Sequence, residues 1–380
     1  MMKIGIPPEG DAETHAKKIR ALHVCKHFDL KSGGGVARYI AGFIHALASA
    51  EVDFSVAAPS VNSGFAPENC RVFRWRWFQL PVLILRADIV HVHGARTPVA
   101  AISAFLALML HKRVIYTPHC YYDEGGLKGI LKKLWDLIVE RQMLKYCDGV
   151  ILLSHSWMSY LRARKLSVRH PHIIHNCVSE SYATRVSPNG KEQYGGTPVI
   201  LSVSRLDRVK NIDTAIRALT VEGLQNAVLH IVGTGADGPR LAAIAEESGV
   251  SARIRFHGFV EDAKVAEFAA AADVFVLPSS QEGMPTTLIE MILRGVSVVA
   301  SDIPGNRAIL DLVGLDSYHA LHDHRDLARK IQLAAVTRIR ESIIGETRRH
   351  FTWETQRSAI LRVYGITVAA EGVLSGQDGN

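Results

Sequence analysis

Short apolar, β-branched runs alternate with helical periodicity through the first half of the chain, and the pattern then restarts. The first set is ALHVCKHF (21–28), FSVAAP (54–59), ADIVHVHG (87–94), RVIYTPH (113–119) and GVILLS (149–154). Between the first two, Val36, Tyr39, Ile40, Phe43, Ile44 and Leu47 recur at helical spacing. Buried strands separated by amphipathic helices predict a parallel sheet with helices on its faces. The second set is PVILSVS (198–204), AVLHIVG (227–233), RIRFHG (253–258), DVFVLPS (273–279) and VSVVAS (296–301). The polar, Gly/Ser/Pro-containing stretch 179–197 between the two sets reads as a linker. A length of 380 residues also suits about two domains. The expected organisation is α/β throughout: a first domain over 1–180, a linker over 181–197 and a second domain over 198–350. A final helix over 351–370 and a disordered tail over 371–380 complete it. Doubly wound sheets place ligands at the carboxyl ends of their strands, so the loops leaving those strands are where chemistry is to be sought.

Charge divides the two halves. Residues 1–190 hold 24 Lys+Arg against 14 Asp+Glu, and residues 191–380 hold 20 against 23, so +10 and −3 make the total of +7. A basic half with apolar neighbours suits an anionic partner. Two of its stretches mix cations with large apolar side chains: RVFRWRWFQLPVLILR (71–86) and LKGILKKLWDLIVERQMLKYC (127–147). The second puts Leu127, Ile130, Leu131, Leu134, Ile138 and Met143 on one stripe, with Lys128, Lys132, Lys133 and Lys145 outside it. Such a helix either lies on an anionic membrane surface or covers a core with a solvated outer face. No nucleic-acid motif accompanies the charge, so nucleic acid is not expected as a partner. The apolar run 98–110 is shorter than the ~20 residues a membrane span needs and reads as a buried helix. Five cysteines without CxxC spacing, and no recognisable signal peptide, point to a reducing, cytoplasmic setting.

Several loops carry candidate chemistry. KSGGGVARYI sets Gly33, Gly34 and Gly35 between a strand and a helix, where a backbone can approach an anion; a plain tight turn explains the glycines equally well. VGTGADGP has Gly233, Gly235 and Gly238 in dinucleotide-loop spacing, but the next strand ends in His257 and Gly258 where that reading wants an acid. In SVSRLDRVKN, Arg205 and Lys210 leave the carboxyl end of a strand, as a pyrophosphate site requires. In SSQEGMPTTLIEMILRGVSVVASD, Glu282 precedes a helix and Glu290 lies within it, with Pro285 expected in the first turn and Gly295 closing the helix. His119 ends a first-domain strand. The pairs His91/His93 and His322/His324 lack a visible third ligand and read as structural, so no metal site is expected.

Taken together, SRLDRVKNIDTAIRAL, the stretch from Phe256 to Gly305 and IIHNCVSES resemble the retaining glycosyltransferases of family 4, over most of residues 20–365. The resemblance implies the GT-B fold, two Rossmann-like doubly wound domains facing across a cleft. It implies transfer with retention of configuration, no metal or other cofactor, and a nucleotide-diphosphate sugar as donor. Catalytic roles would fall to His119, Arg205, Lys210 and Glu282, with His119 at the sugar, Arg205 and Lys210 on the diphosphate and Glu282 facing the donor sugar. Donor binding would also involve Gly34, Gly35, Gly233, Gly235, Val260, Gly283, Met284, Thr286 and Glu290, the last on the ribose hydroxyls. The sequence departs from the family pattern at Ser204 and Asn211, where glycines are common, and at Met291–Ile292, where small residues are frequent. The expected acceptor is a saccharide or lipid-linked saccharide of bacterial cell-surface polysaccharide synthesis. The enzyme would then sit in the cytoplasm or peripherally on the inner face of the membrane. Rival readings are a nucleotide-sugar epimerase of similar architecture, a nicotinamide dehydrogenase using the three glycines, and a non-catalytic membrane-surface scaffold.

Overall fold

The computed structural model describes residues 18–30, 34–48, 52–62, 70–180 and 194–366. Most of the expected linker, the tail 371–380 and Gly33 lie outside them.

Two large all-parallel sheets form, one in each half, beside a short parallel pair of His27–Phe28 with Ser60–Val61. The first has seven strands in the order Cys70–Arg74, Val52–Ala58, Ile19–Val24, Ile89–His93, Arg113–Thr117, Gly149–Leu152 and Pro171–Ile173. The second has six, in the order Ile254–Gly258, Val228–Val232, Val199–Val203, Val274–Leu277, Ser297–Ser301 and Tyr318–His319. The central strands are buried on both faces, as the continuous apolar runs require. Each sheet reverses its strand order once: beside Ile19–Val24 and Ile89–His93 in the first, and beside Val199–Val203 and Val274–Leu277 in the second. A crevice opens at the carboxyl ends of the strands at such a reversal.

The helix Pro98–Met109 buries an alanine-rich face made by Ala100, Ala101, Ala104 and Ala107. By contrast, the helix Gly126–Trp135 buries no residue at all, with Leu127 72% and Ile130 64% exposed. The core-facing reading of that basic stripe therefore fails from Leu127 to Ile138 and holds beyond it, where Met143 and Leu144 are buried. No helix among the described residues is long and apolar enough to cross a membrane.

The chain ends by crossing back. Helix Trp353–Tyr364 packs on Gly35–Ala46 of the first half, where a Cβ on Gly42 would come within 2.1 Å of the Trp353 indole nitrogen. The absent side chain makes room for the tryptophan. Tyr364 reaches the first sheet itself, its hydroxyl 3.0 Å from His91 Nδ1 and 3.1 Å from His23 Nε2.

Candidate active site

At the second sheet's reversal, two loops meet. The loop after Val199–Val203 carries Ser204 and Arg205 and tightens into a single turn, Arg208–Lys210. Asn211 then adopts the left-handed conformation (φ 48°), with its side-chain amide donating to the Pro278 carbonyl at 3.2 Å. Asparagine is among the few non-glycine residues that enter this region readily, which accounts for Asn211 where glycine is common. The loop after Val274–Leu277 carries Glu282 and is joined to the first by the Ser280 N–H donating to the Val209 carbonyl at 2.7 Å.

The two loops bring together residues 72 positions apart. Lys210 Nζ donates to Glu282 Oε1 at 2.6 Å, and the Ser279 hydroxyl donates to the same oxygen at 2.7 Å. Both members of this pair are largely enclosed, Lys210 at 15% and Glu282 at 7% side-chain exposure. Arg205 is the exposed partner of the set, at 64%, and pairs with Asp207.

The first half closes on the Glu282 loop from the opposite side. Trp157 Nε1 donates to the Gly283 carbonyl at 3.1 Å, Asn176 Nδ2 to the Met284 carbonyl at 2.6 Å and Gln281 Nε2 to the Asp123 carbonyl at 3.2 Å. His119 stands at the mouth of the first sheet in the left-handed region (φ 63°). A non-glycine residue held there carries strain of the kind found at working sites. A Cβ on Gly283 would lie 3.0 Å from the His119 carbonyl oxygen, so glycine is what lets the two loops touch. Between them sits Cys120, whose thiol burial pushes up to about 12.

A pocket beside this junction is lined by Arg38, Ser204, Arg205, Gly233, Val260 and Glu290, among others. Burial raises the Glu290 carboxyl above the ordinary range, with Arg38 and Arg294 pulling the other way. Arg38 crosses the cleft to Asp262 at 2.7 Å.

The expected donor residues divide accordingly. Lys210, Glu282, Gly283 and His119 meet at the junction, while Arg205, Gly233, Val260 and Glu290 line the pocket. Gly34 and Gly35 do not line it. Gly34 caps the helix and Gly35 begins it, and Arg38, one turn on, is what reaches in. Gly235 supports the fold: a Cβ there would meet the Leu206 backbone at 2.3 Å. Met284 is buried, its sulfur accepting from the Asn176 N–H. Pro285 sits before the helix, which starts at Thr286, and it is Thr287 that faces the pocket. Sequence reasoning missed Arg38, Asp262, Phe259 and Arg294, whose only signal is position just after a strand or inside a helix.

His119 also leads inward. Its Nε2 lies 3.1 Å from His93 Nδ1, and His93 Nε2 lies 2.9 Å from His23 Nδ1. Burial lowers His23 and His119 to about 3 and His91 and His93 well below their ordinary value. All four are therefore neutral in the folded protein and charged in the unfolded chain below pH 6.5. The stability they contribute is complete above that pH and declines as pH falls towards 3, by up to about 1.4 kcal/mol per pH unit for each. The melting temperature should drop steeply between pH 7 and pH 5; a flat profile would contradict this.

Two facing doubly wound domains with a charged junction in the cleft define a GT-B protein. The model described as "Glycosyl transferases group 1" matches residues 185–341, and "Glycosyltransferase Family 4" matches residues 33–182. A putative glycosyltransferase, EpsD of Bacillus subtilis, is 30% identical over 279 residues, 68% of this chain and 70% of that one. The O-antigen biosynthesis glycosyltransferase WclY of Escherichia coli is 25% identical over 230 residues, 58% of this chain and 62% of its own length. Among solved structures, sucrose-phosphate synthase from Thermosynechococcus elongatus superposes with a TM-score of 0.74 at 19% identity, covering 92% of this chain and 98% of that chain. HepE of Anabaena, in complex with UDP and glucose, gives 0.74 at 16%, covering 91% and 99%. The chain belongs to the group 1, family 4 glycosyltransferases. The matches lend no support to the epimerase or dehydrogenase readings, and Gly235 is occupied in holding the Leu206 loop.

Proposed function

We propose that the chain transfers a sugar from a nucleotide-diphosphate sugar to a saccharide acceptor, with retention of configuration and without a metal. The observation that carries this reading is the Lys210–Glu282 pair, fixed at the second sheet's reversal, with Arg205 on the wall of the adjoining pocket and the His119 backbone against Gly283. Two cations there can meet the charge that grows on a departing diphosphate. Glu290, buried in the adjoining pocket, suits the ribose hydroxyls, and Glu282 the sugar. The UDP complex of HepE favours a uridine donor.

The O-antigen role in the name of WclY supports an acceptor belonging to a cell-surface polysaccharide, and the exposed helix Gly126–Trp135 supports one carried on a lipid. Its exposed leucines and isoleucines, with Lys133 and Lys145 nearby, fit an anionic membrane surface on the cytoplasmic side. Binding to vesicles containing anionic lipid, lost with neutral lipid or in Lys133→Glu, tests this part.

The central test is a thermal-shift screen against UDP-, GDP- and ADP-sugars, NAD and NADP. A ligand at ~100 times its dissociation constant adds about 2.7 kcal/mol to the native state, a shift of a few degrees. Stabilisation by one nucleotide-sugar class, and transfer unaffected by EDTA, are the expected results. A shift with NAD or NADP alone would overturn the reading.

A further inference from the structure

The internal path from His119 does not stop at His23. His23 Nε2 meets the Tyr364 hydroxyl at 3.1 Å, that hydroxyl meets His91 Nδ1 at 3.0 Å, and His91 Nε2 meets Thr117 Oγ1 at 2.8 Å. Five hydrogen bonds thus join six side chains, from the cleft to the returning C-terminal helix and back to Thr117, the last residue of the strand that leads to His119. We infer that this chain of hydrogen bonds is a positioning device, in which all four histidines share one tautomer and Tyr364 thereby sets which atom His119 presents in the cleft.

The inference follows from counting protons. A neutral imidazole has one N–H and one lone pair, and a tyrosine hydroxyl has one proton to give. Each link needs one proton and one acceptor, because His23, His91 and His93 are fully enclosed among Tyr39, Phe43, Phe54 and Trp353. Fixing the direction of one link therefore fixes the rest. In one direction His119, His93 and His23 each donate from Nε2, Tyr364 donates to His91 Nδ1, and His91 Nε2 donates to Thr117. In the other, every donor nitrogen is Nδ1 and Tyr364 donates to His23. Any mixture leaves two protons, or none, in some link, or has Tyr364 accept from both His23 and His91, which strands its own buried proton because those two rings are its only partners among the described residues.

The Nε2–H direction is the one assigned here. It is the more stable form of a free neutral imidazole. Three observations oppose a metal among His23, His91 and His93, whose ligand atoms lie within 4.8 Å of one another. His91 and His93 stack at 4.2 Å and His23 and His93 at 5.1 Å, so the rings do not converge on a point. His23 and His93 spend a nitrogen each on one another, and the remaining nitrogens already have partners. In the assigned state His119 Nδ1, which has no partner among the described residues, carries a lone pair that can accept from a sugar hydroxyl. This last step rests on the placement of His119 at the sugar proposed above.

The test reads ring nitrogens directly. Full-length protein labelled with ¹⁵N-histidine, with signals assigned by single His→Gln substitutions, should show His23, His91, His93 and His119 all protonated on Nε2. In Tyr364→Phe, His23 Nε2–H would face a ring without an acceptor, and an orphaned N–H is the worse of the two losses. His23, His93 and His119 should then change together to Nδ1–H, while His91 stays Nε2–H. Turnover, measured with whichever of the UDP-, GDP- and ADP-sugars raises the melting temperature, should fall about tenfold in kcat/KM, with the Kd for the free nucleoside diphosphate unchanged. Mixed tautomers in the wild type, no change at His119 in Tyr364→Phe, or stoichiometric zinc in the purified protein would each overturn the inference. Should Tyr364→Phe fail to fold, the wild-type spectrum alone decides. If the rings change together while turnover stays constant, the shared tautomer stands and the placement of His119 at the sugar is what fails.

Discussion

Lys210→Ala is expected to lower kcat about 10²–10³-fold while the fold and the far-ultraviolet circular dichroism stay those of the wild type. Lys210 is the one cation of the donor set whose position is fixed before any ligand arrives. Asn211 holds the end of its turn in the left-handed conformation, the Ser280–Val209 hydrogen bond ties that turn to the neighbouring loop, and Glu282 and Ser279 fix the carboxylate it bonds. A charge held in place in a partly dry site stabilises a developing anion without reorganising, which is where its effect on rate comes from. Arg205 cannot replace it, because its side chain is mostly in water and bonded to Asp207. For the same reason Arg205→Ala should cost less than Lys210→Ala. Release of nucleoside diphosphate at saturating donor measures both, and near-wild-type turnover in Lys210→Ala would remove the lysine from the chemistry.

The sequence made the central strands of both sheets legible because they are buried on both faces and read as unbroken apolar runs. It did not reveal Cys70–Arg74, Pro171–Ile173 or Tyr318–His319, which lie at sheet edges. The first is the charged, half-buried CRVFR, and the other two are three and two residues long. Pairing of backbone groups, which has no residue signature, makes these strands. The site shows the same division. Arg205, Lys210 and Glu282 were readable because each follows a strand in a recognisable stretch, and Glu290 because it lies in the helix that continues one of them. That Lys210 and Glu282 bond one another depends on two loops meeting in space. Arg38 shows the limit clearly: it lies one turn inside an ordinary amphipathic helix, and only the approach of the two halves brings it to Asp262 and the Glu290 pocket. The histidine chain was half visible. HVH in one strand suggested a structural pair, but His23 is 70 residues from His93 and Tyr364 is 341 residues from His23.

Glu282→Ala is expected to abolish most transfer as well, by about the same 10²–10³-fold, but its meaning lies in combination with Lys210. If the two side chains worked independently, the double variant Lys210→Ala/Glu282→Ala would lose the product of the two effects. Groups that act as one unit do not behave so, and losing either removes most of what both supply. The double variant should therefore be little slower than the slower single variant. Stability should show the opposite asymmetry. Each single substitution leaves one charge in the enclosed junction without its partner, a more costly state than having neither. The double variant should then melt at or above the lower-melting single variant, giving a non-zero coupling in a thermodynamic cycle. Strict additivity in both rate and melting temperature would mean that the 2.6 Å contact is incidental and that lysine and glutamate meet the donor separately.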